Sequence, residues 1–331
     1  MAPGTGPRVV VLGAGVVGAA CARHLADGGA RVRVLDPGAG RAAGSWAAAG
    51  ILSPSHPERL PDHVHALAAR SLELWDDLAA RAPQVELRRP GVTVLGGDPA
   101  WRDWREARGL PVEEVLWTRA DGSAEPAMRF PGVGLVRPPR AAGALLGGIT
   151  VEARPAPPLE ELRARADVVV VATGAWAAAH LAEAGLDLPV APRRGQMLLF
   201  DRGRLGTILM EPVNEGVAVP RADGRVVAGT TMEDAGFAAA TVAEDLDRLE
   251  RWARGAIPGL GARIDAWAGF RPWSPVPAPT IGEVAPGVVA AVGHFRNGIL
   301  LAPATGELVA DLVLGRPPRV PAAPFAPAAA G

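Results

Sequence analysis

Certain residue types recur in this chain at spacings that could do chemistry. Gly293-His294-Phe295-Arg296-Asn297-Gly298 sets polar and cationic side chains between glycines, just ahead of the apolar run Ile299-Leu300-Leu301-Ala302. Backbone N–H groups in a glycine turn, together with a helix N-terminus, suit an anion or the polarised edge of a ring. A second signature, Gly13-Ala14-Gly15-Val16-Val17-Gly18, follows the apolar run Val9–Leu12, and Asp36 closes the next apolar run. In the dinucleotide-binding arrangement Gly13 makes the tight turn, Gly15 admits a pyrophosphate and Gly18 allows close helix–strand packing. Asp36, roughly 20 residues on, accepts from ribose hydroxyls and argues against a 2′-phosphate there. The signature alone leaves FAD and a nicotinamide cofactor open. Two further stretches let backbone come close to a flat ring or a pyrophosphate: Gly44-Ser45-Trp46-Ala47-Ala48-Ala49-Gly50-Ile51 and Thr173-Gly174-Ala175-Trp176. Trp46 is large for such a loop and is expected to point away from it.

These residues need particular elements to hold them. Val9–Leu12, Arg31–Leu35 and 167–172 read as buried parallel strands. Val16–Ala26 reads as a helix ended by Gly28-Gly29. Residues 61–81 form an amphipathic helix with Val64, Leu67, Leu74, Trp75 and Leu78 on one face, and Ala175 opens another helix. Between these α/β stretches the pattern turns to strands: 91–95, 132–136, 196–200, 216–219 and 225–229. Ala222-Asp223-Gly224 makes the last two a hairpin. A helix over 242–256 starts at a Thr241/Glu244 capping box. Strand-like pieces at 263–270 and 288–292 lead to a helix from about Pro303 to Leu314, with Pro303 at its first position. This alternation predicts a nucleotide-binding domain in three pieces (7–84, 139–188, 265–315) with a sheet domain inserted (85–138, 189–264) and a loose tail, 316–331.

The stretches 9–36, 44–52, 168–176 and 265–314 together resemble the glycine oxidases of the FAD-dependent D-amino-acid oxidase family. Arg193-Arg194-Gly195-Gln196 and Val219-Pro220-Arg221 fit the same pattern, and the chain is trimmed relative to that family around 152–166. The resemblance implies an α/β protein: a Rossmann-like FAD-binding domain with an inserted, mostly antiparallel β-sheet substrate domain. It implies that Gly13–Gly18, Asp36, Ser45, Ala48, Ala49, Gly50, Ile51, Thr173, Gly174, Trp176, His294, Arg296, Asn297, Gly298 and Ile299 hold FAD. Amide groups at 297–299 and the helix behind them would stabilise charge on a reduced flavin. A helix terminus is worth roughly 0.3–2 kcal/mol to a charge, or roughly 6–40 mV for two electrons. Some relatives place a Lys beside the flavin and tether it through a Cys. This chain has no lysine, and Cys21 falls on the first helix, so FAD is expected to be noncovalent.

By the same resemblance, Arg271 in Ala268-Gly269-Phe270-Arg271-Pro272 binds the substrate carboxylate, Arg296 is a second substrate-side arginine, and Met232 lines the pocket. Trp273 is a candidate pocket wall. The implied reaction passes the Cα hydrogen of glycine, or of a small amine or D-amino acid, as hydride to flavin N5. An imino acid forms and hydrolyses to a keto acid and ammonia, and O2 returns as H2O2, in service of thiamine thiazole synthesis by the same resemblance. No protein base is required. A dehydrogenase with a non-oxygen acceptor and a flavoprotein without turnover are the alternatives. Two positions depart from the family pattern: Val217 stands where it has Tyr, and Glu215 where it has His. Losing one hydrogen bond to the carboxylate is worth roughly 1–3 kcal/mol, so a substrate bulkier than glycine, or weak glycine binding, is expected. Glu215 either meets a substrate amine or faces solvent.

The bulk numbers are consistent. At 331 residues two domains are expected. The net charge of −1 recommends neither nucleic acid nor a membrane surface, and no apolar run is long enough to span a bilayer. One cysteine excludes intrachain disulfides. His56, Asp62, His63 and His65 straddle a loop and a helix start, so no metal site is expected. The N-terminus lacks a signal-peptide layout and the chain reads as cytoplasmic; homo-oligomerisation is left open.

Overall fold

The computed structural model describes residues 6–54, 60–183, 185–212 and 216–327. In chain order the elements begin β1 (Arg8–Leu12), α1 (Val16–Asp27), β2 (Arg31–Leu35), α2 (Gly44–Ala47), β3 (Ile51–Leu52) and α3 (Asp62–Arg81). There follow β4 (Val92–Leu95), α4 (Pro99–Glu106), β5 (Glu113–Thr118), β6 (Ala124–Phe130), β7 (Gly134–Leu135), α5 (Pro138–Leu146), β8 (Val151–Glu152), α6 (Leu159–Arg163), β9 (Val168–Val171) and α7 (Ala177–Ala182). The chain continues through β10 (Ala191–Phe200), β11 (Ile208–Glu211), β12 (Gly216–Pro220), β13 (Val226–Gly229), α8 (Ala243–Ala256), β14 (Arg263–Trp273), β15 (Thr280–Ala285), β16 (Val288–Val292) and α9 (Gly298–Val313).

Two large sheets carry the site. The first runs β15-β16-β9-β1-β2-β8 and is parallel except for its β15 edge. Its Val-rich central strands are buried on both faces, as parallel sheets require. Helices α1, α3, α5 and α9 pack on one face, while α6 and α7 cover the other. A Cβ at Gly306 would fall within 2.8 Å of Ala20 atoms, so that glycine sets how closely α9 approaches α1. The second sheet runs β14-β10-β13-β12-β11-β4-β6-β5, antiparallel but for the β4–β11 pair. Leu198, Phe200, Ala218 and Ala228 bury one of its faces under Leu246, Leu249 and Ala253 of α8. Met197, Met210, Val219, Val227 and Trp267 lie on the other face.

Several expectations shift. The final helix begins at Gly298, with Pro303 in its interior. Pro303 cannot donate to the carbonyl four residues back. The indole of Trp75 supplies that bond instead, donating to the Ile299 oxygen at 3.1 Å. The Thr241/Glu244 capping box does not form: Val242 is the N-cap residue, and its N–H donates to Gln196 Oε1 at 2.7 Å. Strand β14 pairs with β10 as far as Trp273, so the chain leaves the second sheet after Trp273 and not at residue 265. The tail is docked through residue 327, because Val320 and Phe325 are buried in the helix-side core and Phe325 packs on His63. Strands β3, β5, β6, β8, β11 and β15 and helices α2, α4, α5 and α6 escaped the sequence pattern; β8 is two residues long and β5 is largely exposed.

Candidate active site

A cavity of about 690 Å³ lies between the two sheets. One end is the β1–α1 turn. Gly13 adopts φ +96°, and a Cβ there would sit 2.5 Å from the Ala172 oxygen, so the turn tolerates only glycine. Gly18 packs against that turn from below, where a Cβ would meet the Gly13 oxygen at 1.9 Å. Gly13, Gly15, Val16 and Val17 line the cavity, while Ala14 and Gly18 lie behind the lining. Ala14 still contributes, donating its N–H to Asp36 Oδ2 at 2.6 Å while Gly38 N–H reaches Oδ1 at 2.6 Å. These bonds fix the Asp36 carboxylate at the cavity wall. Ser45 Oγ accepts from Val16 N–H at 2.8 Å, which ties α2 to the first turn of α1.

Ser45, Ala48, Ala49, Gly50 and Ile51 line the cavity beside the glycine turn. Trp46 does not; it packs edge-on against Trp267 under the Arg41 guanidinium. Thr173, Gly174 and Trp176 line it, as do His294, Arg296, Asn297, Gly298 and Ile299. Because α9 starts at Gly298, its first-turn amides, which lack intrahelical acceptors, open at the cavity. Phe295 holds φ +45°, rare for an aromatic residue, and also lines the cavity. His294 is buried, and its Nε2 meets Thr305 Oγ1 at 3.1 Å. Burial pushes its pKa down to about 3, so the ring is neutral and clasps α9 to the end of β16.

The other end of the cavity is floored by the second sheet. Arg271 folds back across β10 over Gly195, where a Cβ would fall 2.2 Å from the guanidinium. Its Nη2 donates to Thr230 Oγ1 at 2.6 Å and its Nη1 to the Thr231 oxygen at 3.1 Å and the Arg194 oxygen at 3.3 Å. A buried network backs those acceptors. Arg194 pairs with Glu233, and Gln196 Nε2 donates to Glu233 Oε1 at 2.6 Å and to Asp245 Oδ2 at 2.9 Å. Burial raises the Glu233 pKa, but hydrogen bonds from Thr231, Gln196 and Arg194 outweigh it and hold the carboxyl below its usual range.

Val217 lines this end, as expected. Met232 does not; it is 42% exposed. Trp273 also stays outside the lining, with the Arg193 guanidinium 4.6 Å over its ring. Glu215 and His56 lie outside the described residues. His63 and His65 pack on Phe325 and Trp104, and no group of three or more His, Cys, Asp or Glu among the described residues could hold a metal. Gly195, Met197, Met210, Thr230 and Ser53, all lining, were missed. Only a contact map could have found most of them, since they gather from separate strands.

Residues 8–312 match the family described as FAD dependent oxidoreductase. The chain belongs to that family. It is 34% identical to the glycine oxidase of Pseudomonas aeruginosa over 97% of this chain and 98% of that protein. It is 31% identical to the bifunctional protein ThiO/ThiG of a Nostoc species over 92% of this chain and 52% of that longer protein. Among solved structures it resembles iminodiacetate oxidase from Chelativorans (TM-score 0.83, 26% identity, 97% and 99% of the two chains). It also resembles glycine oxidase from Geobacillus kaustophilus (TM-score 0.80, 27% identity, 97% and 98%). The cavity fits the cofactor of this FAD-dependent family on its own terms. Its wall includes the Gly13 cradle, and Ser53 Oγ and Thr173 Oγ1 are buried there without a hydrogen-bond partner. Buried polar atoms in that state need a partner, which a bound group or a water can supply. Cys21, the only cysteine, is fully buried in α1, away from the cavity lining, and burial pushes its thiol up to about 12.

Proposed function

We propose that the protein is a noncovalent FAD-dependent amine oxidase that deaminates glycine or a small amine or D-amino acid. The overall reaction converts amino acid, O2 and water to keto acid, ammonia and H2O2. The observation that carries this reading is the Arg271 guanidinium, laid flat over Gly195 in the cavity that also holds the glycine turn. The Gly13–Gly18 turn and Asp36 would take the pyrophosphate and ribose, Ser53 and Thr173 would donate to or accept from the cofactor, and Gly298 and Ile299 would face the ring. FAD, when bound, supplies the two-electron acceptor for the hydride on Cα. The chain's own part is positional: Arg271 would hold the carboxylate, Arg296 lines the same cavity, and the apolar floor excludes water.

Likeness to a glycine oxidase and to the ThiO/ThiG protein supports a place ahead of thiamine thiazole synthesis. Loss of the gene should then produce a thiazole requirement. We further assign the segments of the first sheet and its helices to a cofactor-binding unit and those of the second sheet to a substrate unit. No helix among the described residues is long and apolar enough to cross a membrane, and we place the protein in the cytoplasm. The test is H2O2 release from glycine, sarcosine and D-amino acids. Arg271→Ala should raise KM roughly 100-fold or more while leaving the flavin bound, since charge-assisted bonds contribute roughly 1.5–3 kcal/mol each. Unchanged KM for the best substrate would remove Arg271 from its role.

A further inference from the structure

The floor of the substrate end has an order that the strand register makes explicit. Met210 pairs with Val217, Val217 with Gly229, and Gly229 with Met197. Directly paired residues point to the same face of a sheet, and Met210, Val217 and Met197 all line the cavity. Gly229 makes the row continuous. A Cβ there would lie 2.3 Å from Met197 Sδ, so the thioether lies flat across the glycine. Gly195, two residues before Met197 on β10, does the same for the Arg271 guanidinium, which ends on Thr230 and Thr231 just past β13. One row therefore starts beside a cation over β10 and runs through thioether and methyl groups across β13 to β12 and β11. At ordinary strand spacing Val217 and Met210 stand about 5 and 10 Å from β13.

We infer that Met197, Val217 and Met210 form an apolar rail that takes the side chain of the substrate. The enzyme would then select α-amino acids with extended apolar side chains, such as norvaline, norleucine or methionine, over glycine. The inference rests on the oxidase reading only for where the carboxylate sits. With the carboxylate on Arg271, glycine leaves the rail uncovered. An apolar side chain covers it and gains about fourfold in affinity per methylene, the equivalent of about 0.8 kcal/mol. An acidic side chain would lay a charge on thioethers and methyl groups that offer it no donor, which is unfavourable.

Two measurements on the FAD-loaded protein test this. The first is calorimetric binding of acetate, butanoate and hexanoate, which need no turnover. Affinity should climb about fourfold per methylene in the wild type, and Met210→Gln and Val217→Tyr should flatten the ladder. The second is anaerobic flavin reduction by glycine, norvaline, norleucine, methionine and aspartate. Methionine or norleucine should exceed glycine at least tenfold in kcat/KM, aspartate should be poorest, and Val217→Tyr should swing the preference toward glycine. A flat ladder, with glycine reducing the flavin as well as methionine does, overturns the rail and leaves the oxidase reading standing. A steep ladder with no flavin reduction by any amino acid does the reverse.

Discussion

At the nucleotide end of the cavity Gly13 turns at φ +96° against the Ala172 oxygen, and glycines and alanines make up much of the wall. At the substrate end Gly195 is equally bare, yet what fills the space above it is the Arg271 side chain. The same residue type thus serves opposite ends. At Gly13 a missing Cβ lets main chain meet main chain, so nothing can yield. At Gly195 it lets a flexible side chain lie down, so an added methyl would displace the guanidinium and leave the fold alone. One end is specified by conformation, the other by placement.

That contrast breaks if one methyl group at each end has the same effect. Gly13→Ala should be the most damaging, because it combines a strained φ with a backbone clash that cannot relax. FAD affinity should fall by about 100-fold or more, read as loss of the 450 nm flavin band on gel filtration. Gly195→Ala should keep its flavin and its thermal midpoint. Its KM should rise roughly 10- to 100-fold as Arg271 loses its bonds to Thr230 and Thr231. A Gly195→Ala protein that lost FAD but kept KM would reverse the assignment of the two ends.

A smaller effect probes what lies behind the arginine. Glu233→Gln leaves the buried Arg194 without its carboxylate, and the one amide oxygen that remains cannot replace both oxygens that accept from Arg194 and Gln196. Breaking a largely buried pair costs about 3–5 kcal/mol when the remaining charge stays buried; part of this should appear as a lower thermal midpoint. The Arg271 acceptors on β10 and beyond β13 should loosen with it, so KM should rise several-fold at unchanged flavin content. A fall in midpoint with KM untouched would confine the network to folding.

The pH dependence should be milder and should track the cofactor side. His294 is held neutral, with its pKa lowered by burial to about 3. The unfolded chain therefore binds a proton that the folded chain refuses as pH drops below about 6.5. The stability conferred by neutral burial is fully present above that pH and is lost progressively toward pH 3. His24, lowered by burial as well, adds in the same direction. His294→Gln should flatten the curve of thermal midpoint against pH between about 6.5 and 4.5, before carboxylates begin to protonate.

The two ends also differed in how far they could be read from the chain. Gly13, Gly15, Gly18 and Asp36 are legible because a backbone turn demands glycine at fixed spacing, close in sequence. The parallel strands were legible because burial on both faces leaves unbroken valine runs. Met197, Thr230 and Gly195 were not, since they become neighbours only when β10, β13 and β14 pair. Met232 was placed in the pocket by likeness of position alone, and it is exposed. The start of α9 was misjudged because proline reads as a beginning, and the indole that rescues its interior position lies on α3.

The smallest expected effect is also the most discriminating about the nucleotide end. Thr173 Oγ1 is buried at the cavity wall without a partner, a state that costs free energy unless a ligand group relieves it. Thr173→Val removes the orphaned hydroxyl at nearly constant shape. The cofactor-free protein should therefore gain stability, by about 1 kcal/mol, seen as a higher thermal midpoint. If the hydroxyl serves FAD, the same substitution should weaken FAD binding about fivefold, so the rise in midpoint produced by adding FAD should shrink. The two shifts must oppose each other. A variant more stable both with and without FAD would mean that Thr173 only fills space, and that the backbone turns hold the cofactor at this wall by themselves.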